Sequence, residues 1–101
     1  MPVAVLGGRE VRVARTRRAR LLGLAYLSRD ESGPGLLIPR CSSVHTFGMR
    51  FRLDVYFLDA AGTAISVCRG VPTRRVVSHR GAKAVLEIPA AEGGEFSPLC
   101  P

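Results

Sequence analysis

The stretch MRFRLDVYF, residues 49–57, decides the fold. Apolar side chains occupy every second position from Met49 to Phe57, while arginine, aspartate and tyrosine fill the positions between them. Strict alternation of this kind is typical of a β-strand that has one face in a core and the other in water. The sequence therefore predicts a half-buried strand over residues 49–57.

The segments that follow and precede this stretch predict its partner strands. Residues 59–62 (Asp-Ala-Ala-Gly) predict a turn into a second alternating segment, residues 64–71, so the two segments form a central β-hairpin. Residues 83–88 alternate again, and residues 36–38 are a short apolar strand, which the proline after it ends or leaves at a sheet edge. We interpret the polar residues 72–80 as a crossing loop or a weak edge strand.

The N-terminal part predicts a second hairpin and one helix. Two glycines, which tolerate the positive φ of a tight turn, separate residues 3–6 from residues 10–14. The hydroxyl of Thr16 can cap a helix over residues 17–24, where leucines recur at helical spacing. We therefore predict a mainly β fold: a compact β-sandwich of jelly-roll type, or a partly open barrel, with one short α-helix.

Length and composition indicate one domain. A chain of 101 residues with 47% hydrophobic residues has room for one hydrophobic core. We expect a single domain over residues 1–101, with its core over about residues 3–90. The tail, residues 91–101, is rich in glycine, glutamate and proline, and is expected to be loose.

The chain is strongly basic, with 15 lysines and arginines against 8 acidic residues and a formal net charge of +7. Fourteen of these cations are arginine, and asparagine, glutamine and tryptophan are absent. Genome composition or life at high temperature produces such a bias without any partner. The alternative is an anionic partner, a nucleic acid or an acidic protein, bound through the seven arginines of residues 1–29.

The sequence also predicts a cytoplasmic location. Residues 1–6 are too short for the apolar part of a secretion signal, and two glycines follow them. No run approaches the about 20 apolar residues that a membrane-spanning helix needs. Three cysteines, Cys41, Cys68 and Cys100, are an odd number, so we expect reduced thiols.

Two motifs are specific enough to suggest a family. Residues 48–59 read G-M-R-x-x-L-D-V-x-F-L-D, and residues 85–90 read V-L-E-I-P-A. In their order and spacing, together with shorter matches from residue 11 onward, they resemble the bacterial and archaeal family called domain of unknown function 192. The resemblance implies a mainly β fold of sandwich or jelly-roll type. It implies no activity, because that family is itself uncharacterised.

Candidate binding residues lie in the loop before the alternating strand and on its polar face. Loops beside a rigid sheet are where binding groups usually lie, and a row of donors and acceptors on an exposed sheet face suits a polar small molecule or a glycan. The predicted ligand-binding residues are His45, Thr46, Met49, Arg50 and Asp54.

Two other kinds of chemistry compete with this interpretation. Cys41, His45 and Met49 recur every four residues and are soft or borderline metal ligands. Met49 has the core parity of the strand, however, and no further Cys or His stands nearby at zinc-like spacing, so we predict neither a metal nor another cofactor. Cys41 and His45 could instead form a nucleophile and its base, although no catalytic motif is present.

Overall fold

The computed structural model describes residues 3–6, 9–13 and 35–90. The predicted helix over residues 17–24 and the tail over residues 91–101 lie outside the described residues. The described part of the chain contains no helix, so that element is not confirmed.

The described residues form eight strands in two sheets. A six-stranded sheet, which we call the large sheet, has the order β1-β2-β3-β8-β5-β6, and β4 and β7 form a two-stranded small sheet. Neighbouring strands are antiparallel except for β2 and β3. The prediction of a mainly β fold is therefore confirmed. The strands are β1 Val3–Leu6, β2 Arg9–Val13, β3 Leu36–Pro39, β4 Ser43–His45, β5 Leu53–Leu58, β6 Ala64–Val71, β7 Val76–Ser78 and β8 Ala84–Pro89.

The alternating stretch that decides the fold forms β5. Leu53, Val55 and Phe57 are fully buried on one face of the large sheet, as the alternation predicts. The strand is shorter than predicted, because residues 49–52 form a bend before β5 begins. Met49 is nevertheless buried in the same core. The alternation of buried and exposed side chains therefore continues through residues 49–52, although the backbone of these residues is not a strand.

The predicted turn between β5 and β6 also forms. The Oδ1 atom of Asp59 accepts hydrogen bonds from the backbone N–H groups of Ala61 and Thr63, both at 2.9 Å. Gly62 has a φ of 85°, a left-handed conformation that glycine adopts without strain. The aspartate and the glycine thus each supply what the turn requires.

The main core lies between the two sheets. Val44 of β4 and Val77 of β7 belong to the same buried cluster as the apolar face of β5 and β8. The opposite face of the large sheet is apolar too, because Leu58 and Leu86 are buried there with partly buried neighbours. The strands β8 and β5 therefore have apolar side chains on both faces.

One ionisable side chain lies in this main core. Glu87 is 1% exposed and is paired across the sheet with Leu36 of β3 and Val55 of β5. Its Oε1 atom has no hydrogen-bond partner among the described residues. Burial raises the pKa of Glu87 to about 8, since a low-dielectric environment disfavours the charged carboxylate. The carboxyl group is therefore largely protonated at neutral pH.

This buried acid predicts a stability that falls as pH rises. Between pH 4.5, the ordinary pKa, and about pH 8, the unfolded chain loses the Glu87 proton while the folded chain keeps it. Glu87 alone therefore lowers the free energy of unfolding steadily as the pH rises through that window. Glu87→Gln cannot ionise, so we expect urea denaturation to show a flatter pH dependence and a more stable variant at pH 8.

Asp59→Asn is the matched control for this measurement. It removes an acid from an exposed turn and leaves Glu87 in place, so the pH slope of the parent should persist. An unchanged slope in Glu87→Gln would contradict the assignment of a protonated, buried Glu87.

Candidate functional site

The two chain segments that carry the small sheet have only positive formal charges. Residues 40–52 include β4, residues 72–83 include β7, and neither segment contains an aspartate or a glutamate. Antiparallel pairing of β4 with β7 brings the two segments side by side. We call them together the cationic layer. Its cationic side chains are all exposed: Arg40, Arg50, Arg52, Arg74, Arg75, Arg80 and Lys83.

Thr46 joins the two segments of this layer. Its side chain is fully buried, and its hydroxyl donates a hydrogen bond to Pro72 O (2.7 Å) and accepts one from Arg75 N–H (2.8 Å). Its backbone N–H donates to Arg75 O at 2.8 Å, and its carbonyl accepts a bond from the Thr73 hydroxyl at 3.1 Å. A buried hydroxyl needs such partners, and here they fix the turn after β4 against the segment before β7.

Two arginines of the layer have strained backbones. Arg40 has a φ of 52° and Arg74 a φ of 65°. Both values lie in the left-handed region, which residues other than glycine, asparagine and aspartate seldom adopt. The backbone N–H of Arg74 donates to Thr46 O at 3.4 Å. Strain of this kind persists only where the surrounding structure imposes it, and it is concentrated at functional sites.

An open cleft of about 270 Å³ lies at one end of the cationic layer. The two segments are joined there by a backbone hydrogen bond from Cys41 N–H to Lys83 O, at 3.3 Å. Cys41 is a half-buried free thiol whose Sγ donates to Ser43 O at 3.1 Å. The cleft thus has a cation from each segment beside a thiol and a hydroxyl. Its lining residues are Arg40, Cys41, Ser42, Ala82 and Lys83.

The outward-facing side of the small sheet carries exposed apolar groups. Val76 of β7 is 65% exposed and is paired with His45 of β4, and Phe47, just beyond β4, is 52% exposed. The rings of His45 and Phe47 lie 5.9 Å apart. We call these three residues the outer patch. Phe47 and Val76 are not predictable as surface residues from sequence, because neither residue type signals exposure on its own.

Four of the five predicted ligand-binding residues lie together at the end of β4. His45 is half-buried and Arg50 is exposed, so both reach the surface of the cationic layer. Thr46 is used in the hydrogen bonds described above, and Met49, 7% exposed, packs in the core. The geometry therefore favours His45 and Arg50 as surface groups and gives Thr46 and Met49 a structural role.

Asp54, the fifth, lies on the face of β5 that points away from the small sheet. Its Oδ1 accepts a hydrogen bond from Gly70 N–H at 2.8 Å, and its Oδ2 lies 3.8 Å from Nη1 of Arg69. Arg69 also lies over the ring of Tyr56, 5.7 Å from its centroid. Asp54 and Tyr56 therefore contact β6 rather than β4, the strand that contains His45.

The cysteines show one departure from expectation. Cys68 is fully buried and disulfide-bonded, so the expectation of reduced thiols is wrong for this residue. Cys41 lines the cleft before β4, whereas His45 lies at the far end of β4 with its ring beside Phe47. Within residues 35–90 and the described N-terminal strands, no three His, Cys, Asp or Glu side chains are grouped as metal ligands would be. None of the described segments is a helix that could span a membrane.

Comparisons with known proteins identify relatives without an assigned activity. The sequence profile of the DUF192 family, described as an uncharacterized ACR, matches residues 5–96. A crystal structure of a protein of unknown function from Novosphingobium aromaticivorans has a similar fold, with a TM-score of 0.64 and 17% sequence identity over 90% of this chain and 83% of that chain. At this identity the likeness shows the fold alone. No curated protein matches the chain.

The role of Thr46 predicts a marked loss of stability when its hydroxyl is removed. Thr46→Val keeps the shape of the side chain but leaves Arg75 N–H and Pro72 O without this partner. We expect the free energy of unfolding to fall by about 1–3 kcal/mol. Thr63→Val, at an exposed turn position, is the control and should change it little. Equal stability of the two variants in urea denaturation would contradict the role given to Thr46.

Proposed function

The chain belongs to the DUF192 family, and we propose that it is a binding module for a small polar molecule with an anionic group. The family supplies no activity to transfer. The proposal rests on one observation: Arg40 and Lys83, from the two segments of the cationic layer, line the same open cleft, and none of its described lining residues is acidic.

The lining of the cleft suits a phosphate or carboxylate group. The arginine guanidinium offers paired N–H donors that match two oxygens of such a group, and the lysine ammonium adds a compact charge. The hydroxyl of Ser42 supplies a further donor between them. The backbone bond between Cys41 and Lys83 holds the two walls in register, which lowers the entropy cost of gathering these groups around a ligand.

The size and lining of the cleft narrow the ligand class. Its volume of about 270 Å³ is at the lower limit of small-molecule sites, which span roughly 300–1,000 Å³. No aromatic ring is among the described lining residues, so a sugar ring has no flat surface to stack on. A small anionic metabolite therefore fits this cleft better than a glycan.

A second candidate is an anionic macromolecule, favoured by the charge of the whole cationic layer. A nucleic acid or acidic protein would contact several of its seven cations at once, so its affinity would fall steeply with salt. The N-terminal arginines first predicted for this role lie mostly outside the described residues. A salt titration distinguishes the two candidates, because a small anion held by two cations shows a much weaker salt dependence.

Substitution of the two cations predicts a loss of anion binding at the cleft. Arg40→Asn removes the charge while keeping a residue that tolerates the left-handed backbone, and Lys83→Gln removes the second charge. Inorganic phosphate serves as the probe, and NMR shifts of the Cys41, Ser42 and Lys83 amides report binding. We expect about tenfold weaker binding for each variant, the effect of losing one charge-assisted hydrogen bond.

The matched control is Arg69→Ala, which removes one positive charge from an exposed position on β6. Its phosphate affinity should equal that of the parent chain. A second readout is the alkylation of Cys41 by iodoacetamide, which bound phosphate should slow. Equal shifts and equal alkylation rates in the parent chain and in the Arg40→Asn, Lys83→Gln double variant would overturn the proposal.

A further inference from the structure

We propose that the outer edge of β7 takes up an extended acidic segment of a partner protein as an added β-strand. The site is the edge of the small sheet next to the outer patch, away from the cleft, which is lined by residues 40–42 and 82–83. Either proposal can therefore fail without the other.

The outer edge of β7 has backbone groups that point away from β4. Thr46 N–H donates to Arg75 O, so these two residues form a hydrogen-bonded pair of the antiparallel ladder. Such pairs alternate along the ladder, and Val76 and Ser78 fall between them. Their N–H and C=O groups accordingly point away from β4, and no third strand of the described residues pairs with them. A polypeptide is the ligand that matches this alternation of donors and acceptors.

The same edge also has an exposed apolar surface. Val76 and Phe47 are more than half exposed, whereas Val44 and Val77 on the inward face of the same sheet are buried. Burial of Val44 and Val77 packs the small sheet on the core, whereas Phe47 and Val76 leave more than half of their surface to solvent. Aromatic and aliphatic groups surrounded by arginine are typical of the central part of protein interfaces.

Charge identifies the chemistry of the partner segment. Arg74 and Arg75 precede β7 and Arg80 follows it, and all three side chains are exposed. Residues 72–83 contain no acidic residue, so the charge of Arg74 and Arg80 is not met by an acid of the same segment. Pairing of β7 with β7 of a second copy would place these arginines against each other, which disfavours self-association at this edge. An extended segment with apolar residues at its centre and acidic residues at its ends is complementary to both the outer patch and the charges that flank β7.

The test uses a short capped peptide with valines at its centre and glutamates at both ends, with affinity measured by fluorescence anisotropy on the whole chain. We expect binding that weakens as salt is raised. The same peptide with N-methyl groups on alternate backbone nitrogens should bind at least tenfold more weakly, because it cannot complete the ladder. A peptide with lysine in place of glutamate should not bind.

Variants of the protein locate the contact. Val76→Ser should weaken binding several-fold, whereas Val67→Ser, at an exposed valine of β6, should not. The double variant Arg74→Asp, Arg80→Glu should lose at least tenfold, since aspartate tolerates the left-handed backbone at residue 74, and Arg69→Glu is its control for charge reversal. Phosphate binding at the cleft should persist in Val76→Ser, which separates this site from the small-molecule site.

Four results would overturn the inference. The first is equal affinity for the N-methylated peptide, because it excludes an added strand. The second is equal affinity for the lysine peptide, because it excludes charge recognition. The third is tighter binding of a single-stranded oligonucleotide that is lost in Val76→Ser. The fourth is a dimer of the free chain that dissociates in that variant.

Discussion

The arrangement of both candidate surfaces depends on how the small sheet is fixed to the large one. Val44 and Val77 give the small sheet one apolar face, and this face closes the core above β5 and β8. Thr46 then fixes the ends of the two short strands through its buried hydroxyl. Three-residue strands have little stability of their own, since an isolated two-stranded sheet is marginal in water. The cleft and the outer patch hold their shape only while this packing and these bonds persist.

The large sheet could be predicted from sequence because its strands are long enough to show a period. Residues 53–57 alternate strictly, and the turn at Asp59 has its own chemical signature. The alternation predicted a strand at residues 49–52, and this prediction is wrong. Side chains continue to alternate in and out of the core there, although the backbone bends. Alternation in the sequence shows which side chains are buried. A backbone bend that keeps the side chains pointing in the same directions does not change this pattern.

The small sheet and its surfaces were harder to predict for a physical reason. Three residues are too few to establish a period, and residues 72–80 were assigned only as a loop or weak edge strand, of which Val76–Ser78 proves to be the strand. The environment of Glu87 depends on its strand being central, with neighbours on both sides, which a linear pattern does not reveal. Exposure of Phe47 follows from the pairing of β4 with β7, a contact between residues about thirty positions apart.

The distribution of charge argues against composition as the whole explanation of the basic character. Biased composition would scatter arginine along the chain, among acids as well as away from them. In the sequence, Asp54 and Asp59 stand between the two basic segments and make the region look mixed. The fold assigns these acids to the large sheet and leaves residues 40–52 and 72–83 without any. Exposed like charges repel each other over about 8–10 Å in salt, so two neighbouring segments without an acid of their own carry an electrostatic cost. This distribution supports the proposal that the cationic layer meets an anion.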